Sequence, residues 1–153
     1  AQNTFVLIDR TVQKNFEQVV EFTASYINKT IRARGDVSFL SVGTDRYFAP
    51  VLKTDSQFKK VMQHFVTMQP NAQFGVERLL FEEQKTMSRS IVIIVTGELT
   101  PQLQEALNTS VKSMGKIVCF VVNSEAEPVH LRNHNEVHII SDALNPSSEV
   151  KSL

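Results

Sequence analysis

A single cysteine, Cys119, rules out an intramolecular disulfide, and tryptophan is absent altogether. Cys119 lies in the run Ile117-Val118-Cys119-Phe120-Val121-Val122, where a small buried hydrophobe is expected rather than a reactive thiol. Net charge is also lacking: 16 Lys and Arg balance 16 Asp and Glu. No global field therefore favours nucleic acid, anionic lipid or acidic substrates. No apolar run approaches the roughly 20 residues of a spanning helix, and no signal-peptide pattern is present. The chain opens on a core strand without an initiating Met. It is expected to be an excised or processed domain, which leaves room for a membrane anchor in the parent protein.

What is present is an alternation of strand and helix signals over 153 residues, the length of one ordinary domain. Thr4-Phe5-Val6-Leu7-Ile8 is an unbroken apolar strand ending at Asp9 and Thr11. Phe16, Val19, Val20, Thr23, Ile27 and Ile31 then recur at helical steps. That pattern predicts a first helix over about 12–34, with Asp9 as a candidate N-cap and Gly35 as C-terminal cap. A strand over 36–42, the turn Gly43-Thr44-Asp45 and a strand over 46–51 predict an antiparallel hairpin. Pro50 places the second of these at the sheet edge.

Thr54 or Asp55 caps a helix whose inward face reads Phe58, Val61, Met62, Phe65 and Val66, and another helix is expected over 74–85. Ser90–Thr96 is the strongest strand signal, β-branched throughout as in a parallel sheet covered on both faces. Thr100-Pro101 opens a helix ending at Gly115; strands over 116–122 and 137–140 follow, and the tail 145–153 is expected to fray. The order β-α-β-β-α-α-β-α-β-β predicts a doubly wound, mainly parallel α/β sheet with one antiparallel edge strand and helices on both faces. No interdomain linker or repeat interrupts it.

In such sheets, ligands bind outside the carboxyl ends of the strands, so Asp9 is the first candidate for chemistry. Asp9-x-Thr11-x-Gln13 after the first strand resembles the Asp-x-Ser-x-Ser metal-binding entry of von Willebrand factor A (vWA) domains. The likeness runs over 1–153 as a single domain. Gly35-Asp36 opening the second strand is most like the C-terminal domain of bacterial DUF58 proteins. The family's site holds Mg²⁺ or Mn²⁺ with hard oxygen ligands and leaves a position for a partner's carboxylate. Asp9 and Thr11 match that site. Gln13 replaces the second hydroxyl, Gln73-Phe74-Gly75 lacks the middle-loop threonine, and Val95-Thr96-Gly97 has a hydroxyl where the second carboxylate belongs. With Glu98 as the only nearby substitute acid, the resemblance implies a degenerate site whose metal binding is weak or absent.

The resemblance further implies a non-catalytic protein-interaction module. It would present Asp9, Thr11, Gln13, Phe74, Thr96 and Glu98 to a protein partner, for DUF58 proteins a MoxR-type AAA+ ATPase. The parent would be membrane-anchored with this domain facing the cytoplasm, and the domain itself would touch neither membrane nor nucleic acid. Two alternatives use the same elements. A structural α/β domain would bind through its helices or by pairing along the edge strand Tyr47–Ala49. A receiver-like phosphoacceptor would use Asp9 and Thr96, but Asp9 has no acidic neighbour and the second strand ends in Ser41-Val42-Gly43 without a carboxylate.

Other motifs carry less. His130, His134 and His138 have zinc-like spacing, but Pro128, Asn133 and Asn135 break any helix that would align them, so surface or edge histidines are expected. His64 has no evident partner. Arg34-Gly35-Asp36 falls where a helix ends and a strand begins, which explains its glycine, and the sequons at Asn28 and Asn108 lie in predicted helices. The first loop has no glycine to admit a pyrophosphate, and neither a Walker loop nor a Gly-x-Ser-x-Gly elbow occurs. Enzyme chemistry is left without residues.

Overall fold

The computed structural model describes residues 3–11, 13–110, 115–141 and 150–151. The strands are β1 (Asn3–Ile8), β2 (Val37–Val42), β3 (Arg46–Leu52), β4 (Ser90–Thr96), β5 (Ile117–Val122), β6 (Glu136–Ile140) and β7 (Val150–Lys151). The helices are α1 (Phe16–Arg32), α2 (Asp55–Thr67), α3 (Val76–Glu82) and α4 (Pro101–Thr109). One sheet runs in the order β3-β2-β1-β4-β5-β6-β7. β2, β1, β4, β5 and β6 are mutually parallel, and β3 is the antiparallel edge strand. At the opposite edge, β7 pairs antiparallel with β6 inside the tail that was expected to fray. The rest of that expectation lies outside the described residues. α4 ends at Thr109, where Ser110 turns out of the helical conformation (ψ 137), rather than running on to 114 as predicted.

Period-2 alternation in β1 divides the core. Val6 and Ile8 pack with α1 and α2 through Phe16, Val19, Phe22, Val61 and Phe65. Phe5 and Leu7 pack with α3 and α4 through Val76, Leu80, Leu103 and Leu107. Both faces are therefore apolar, which is why the parallel strands read as continuous hydrophobic runs. Cys119 is fully buried within the second cluster, and burial pushes its thiol pKa up, so it is inert packing.

Caps follow the sequence in two helices and depart from it in one. Thr54 accepts from Gln57 N while Gln57 reaches back, a capping box. Thr100 accepts from Leu103 N ahead of Pro101. However, α1 starts at Phe16 after Asn15, which makes no side-chain cap, and Asp9 is not its cap. The Asp9 carboxylate instead accepts from Thr11 N, two residues on, in an Asx-type turn that carries the chain off the helical path. At the other end Gly35 N bonds Thr30 O and Arg34 N bonds Ile31 O, the paired bonds of a Schellman end. The left-handed residue there is Arg34 (φ 62), not Gly35 as expected.

Val66 departs from the predicted face of α2. It is 81% exposed, whereas Val61 and Phe65 are buried. α3 is shorter than predicted, Val76 to Glu82 rather than 74–85.

Candidate functional site

β1 and β4 are neighbours, yet the chain leaves them in opposite directions across the sheet. Their carboxyl ends thus form the topological switch point, where an open α/β sheet places its ligand crevice. Asp9 and Thr96 stand on its two sides. Thr96 Oγ1 donates to Asp9 Oδ2 at 2.7 Å, and Thr11 donates to Asp9 Oδ1 through its hydroxyl at 2.8 Å and its amide at 3.0 Å. Asp9 N adds a bond to Val95 O at 2.9 Å. Asp9 and Thr96 are both buried.

Gln13 forms a second tie across the crevice. Its Nε2 donates to Asp9 O at 2.8 Å and to Thr11 O at 3.1 Å, and its Oε1 accepts from Gly97 N at 2.5 Å. Gly97 is needed for this approach, since a Cβ there would stand 2.8 Å from Gln13 Oε1. Glu98 N donates to Thr96 Oγ1 at 3.1 Å, while the residue itself is exposed.

Set against a divalent-cation site, this donor set is a poor fit. It offers one carboxylate, whose two oxygens lie within hydrogen-bond distance of three donors, and two hydroxyls: that of Thr11 donates to the carboxylate, and that of Thr96 lies between Asp9 Oδ2 at 2.7 Å and Glu98 O at 3.0 Å. Among the described residues no group of three or more His, Cys, Asp and Glu is arranged to hold a metal ion.

Beside this lies a cluster that sequence reasoning missed, centred on Arg10. The side chain is 3% exposed. Its guanidinium donates to Ser41 Oγ at 3.1 Å, Gln69 O at 3.1 Å and Asn71 Oδ1 at 3.0 Å, with Asp45 at 3.6 Å. Burial lowers its pKa, and Asp45 partly offsets this. One planar cation thereby joins the first loop, the end of β2, and the α2–α3 loop, whose Ala72 N also bonds Arg10 O at 2.9 Å. A Cβ on Gly43 would meet Asn71 Oδ1 and the Arg10 guanidinium, so the glycine makes room for the cluster.

His64, expected to have no partner, has two. Nε2 lies 3.2 Å from Ser41 Oγ, and the ring stacks on Tyr47 with centroids 4.0 Å apart and planes 9° apart. Burial, and then the Arg10 charge, hold its pKa below the ordinary histidine value, with Asp45 acting the other way. Ser41 is fully buried, so the Ser–His pair has no access to substrate. The only advance signal for this cluster was a charged residue, Arg10, directly beside a strand-end aspartate.

Phe74 stands apart from the Asp9 network. It is 56% exposed, with the Arg78 guanidinium 3.7 Å from its ring centroid. Both border a cavity of about 320 Å³ lined also by Val42, Gly43, Ala72 and Leu79. The structure therefore brings Asp9, Thr11, Gln13 and Thr96 together in one bonded network, with Glu98 contributing its main chain, and sets Phe74 on a neighbouring rim.

The three spaced histidines share one polar cavity rather than a helix face, and His138 Nε2 is 2.8 Å from Glu136 Oε1. Lys116 and His138 hold the Glu136 carboxyl below its ordinary range. In the second sequon, Asn108 Oδ1 is engaged by Arg132 N at 2.7 Å. Asp36 of the Arg-Gly-Asp tripeptide pairs with Lys53 at 3.6 Å. Among the described residues no helix is long and apolar enough to cross a membrane.

With this geometry in hand, the chain can be set beside known proteins. No known family profile matches it. It is 27% identical over 105 residues to the uncharacterized protein YeaD of Bacillus subtilis, covering 67% of this chain and 26% of YeaD. The chain thus spans about a quarter of the length of that curated relative. A solved von Willebrand factor type A protein from Catenulispora acidiphila superimposes with TM-score 0.60 at 14% identity, over 93% of this chain and 39% of that one. The conserved hypothetical protein BatB from Bacteroides thetaiotaomicron gives TM-score 0.51 at 10% identity, over 80% of this chain and 67% of BatB. At such identities the likeness speaks to fold alone, and the fold is a vWA-like, doubly wound α/β sheet.

Proposed function

We propose that this chain is a non-catalytic protein-binding module whose degenerate metal site has become a metal-free latch. The observation that carries the reading is the Asp9–Thr96 bond across the switch point, with Gln13–Gly97 beside it. These bonds consume the polar groups that would otherwise face a ligand. The buried Asp9, Thr11, Gln13 and Thr96 set loop shape, and the exposed Phe74 and Glu98 make contact. The cavity beside Phe74 is lined by apolar Val42, Ala72 and Leu79, with charged Arg78 and Glu82, as a protein interface needs. The likeness to the C-terminal domain of DUF58 proteins supports a larger, membrane-anchored parent with this domain in the cytoplasm. It also supports a MoxR-type AAA+ ATPase as the partner.

The test has two arms. A ligand that binds only the native state stabilises it by RT ln(1 + [L]/Kd), about 2.7 kcal/mol at a hundredfold excess over Kd. Thermal unfolding in EDTA and then in millimolar Mg²⁺ or Mn²⁺ is expected to give the same midpoint. An upward shift lost in Asp9→Ala would restore the metal site and defeat the latch. In the second arm, Phe74→Ser with Glu98→Lys is expected to abolish co-purification with a MoxR-type ATPase at unchanged unfolding midpoint. Undiminished capture would remove this face as the interface.

A second reading is favoured by one observation on β3. At that open edge Phe48 is 36% and Val51 38% exposed. Capture lost on Tyr47→Ala, and retained in the loop variant, would assign binding to strand pairing there.

A further inference from the structure

The sequence pattern assigns Val66 to the apolar stripe of α2, and the fold leaves it 81% exposed. It borders a groove of about 470 Å³ between α1 and α2, floored by Phe16, Val20, Phe65 and Met68. This groove is separate from the cavity beside Phe74, and nothing in the Asp9 network uses it.

Its other margin is formed by Glu17 and Glu21. Both residues are exposed, and neither enters an ion pair among the described residues. Spaced i,i+4 on α1 they repel, which costs a helix roughly 0.2–0.5 kcal/mol. Glu17 recovers something from the positive end of the helix dipole in the first turn, but Glu21 lies a turn further in. A single cation placed between them would relieve the repulsion, and an aliphatic group beside that cation would cover Val66.

We infer that the α1–α2 groove is a second docking site, for a segment of a partner protein presenting an aliphatic side chain next to a lysine or arginine. The aliphatic group fills the floor between Val20 and Met68, and the cation bridges Glu17 and Glu21. Because α1 begins and α2 ends at the carboxyl edge of the sheet, the groove opens toward the loops gripped in the first proposal, without depending on it.

The probe is a short amphipathic peptide of leucines and lysines, titrated into the chain and followed by amide chemical shifts. Its counterpart has glutamates for the lysines. The leucine–lysine peptide is expected to move the resonances of 16–21 and 65–69. Its affinity should fall about tenfold in the Glu17→Gln, Glu21→Gln double variant, the scale of two exposed ion pairs. Val66→Ser should also weaken it, while Glu105→Gln, exposed on α4 against the opposite face of the sheet, should not. Equal binding of the glutamate peptide, undiminished affinity in the first double variant, or shifts located elsewhere would overturn the inference. So would movement of the same resonances with protein concentration alone, which would assign the groove to a second copy of the chain.

Discussion

Replacing Arg10 by Met keeps most of the side chain's length and removes the cation that joins three loops. Arg10 donates to Ser41, Gln69 and Asn71 at 3.0–3.1 Å. Hydrogen bonds from a charged donor contribute about 1.5–3 kcal/mol each when deleted, so a naive sum exceeds 4 kcal/mol. Three features reduce it. Removing the guanidinium also removes its own burial penalty, which is what depresses its pKa. Gln69 is exposed, so its carbonyl can turn to water. Asn71 Oδ1 retains Thr44 N at 3.2 Å and Ser41 Oγ retains His64. The Asp45 contact adds little, because that carboxylate is 68% exposed. The expected net loss is about 2–3 kcal/mol, roughly 4–12 °C in midpoint for a domain of this size. Urea unfolding should show a lower midpoint with unchanged slope, and hydrogen exchange should show early loss of protection at Ala72. Arg10→Lys should recover less than half, since a point charge cannot reproduce the planar fork. A loss below about 0.5 kcal/mol, or full rescue by lysine, would refute the view of Arg10 as the organiser of this edge.

Thr96→Val preserves shape and deletes the hydroxyl that meets Asp9 Oδ2 at 2.7 Å, so the buried carboxylate loses a donor. The expected cost is about 1.5–3 kcal/mol by urea unfolding, with Thr96→Ser near wild type; equal loss in both would show that packing alone is measured. For His64, whose folded pKa is depressed, the unfolded chain binds the proton first as pH falls. Its contribution is therefore complete above the unfolded value near 6.5 and is lost as pH falls through the lower folded value. Unfolding free energy followed from pH 8 to 5 should decline below that point in the wild type. The decline should be shallower in His64→Phe, which keeps a ring against Tyr47; parallel curves would mean that His64 does not titrate with folding.

How far the sequence could be read depends on the range of each interaction. β4 is legible because both of its faces are apolar, and the Thr54 and Thr100 caps are legible because donor and acceptor lie three residues apart. The Asp9–Thr96 bond spans 87 residues and the Arg10–Asn71 bond 61, and no local pattern encodes either. Asp9 read as a helix cap for the same reason: its true partners are a local turn and a distant strand end, and sequence offers a cap as the nearest acceptor. Arg34 shows a subtler failure, since Gly35 is the residue a C-cap reading selects. A glycine is still needed there, but for space: its Cβ would meet Thr30 Cγ2 at 2.9 Å, while Arg34 bears the positive φ.

On the proposed reading of a degenerate metal site, its departures from the vWA motif are mutually consistent when taken in space. Removing the second carboxylate at 96 removes charge needed by a divalent cation, yet the threonine there supplies the hydrogen that Asp9 Oδ2 needs. Lengthening the second loop hydroxyl into Gln13 costs a ligand, yet the amide reaches Gly97 and closes the same gap from the other side. Removing Thr96 or Gln13 here would deprive Asp9 Oδ2 or Gly97 N of its partner, a penalty of about 1–3 kcal/mol. Together they leave Asp9 satisfied without an ion, and Arg10 stands one residue away as the fixed positive charge of this edge. On the reading proposed above, the strand ends no longer bind anything themselves, and recognition passes to what surrounds them: the exposed Phe74 and Glu98, and the acidic groove between α1 and α2.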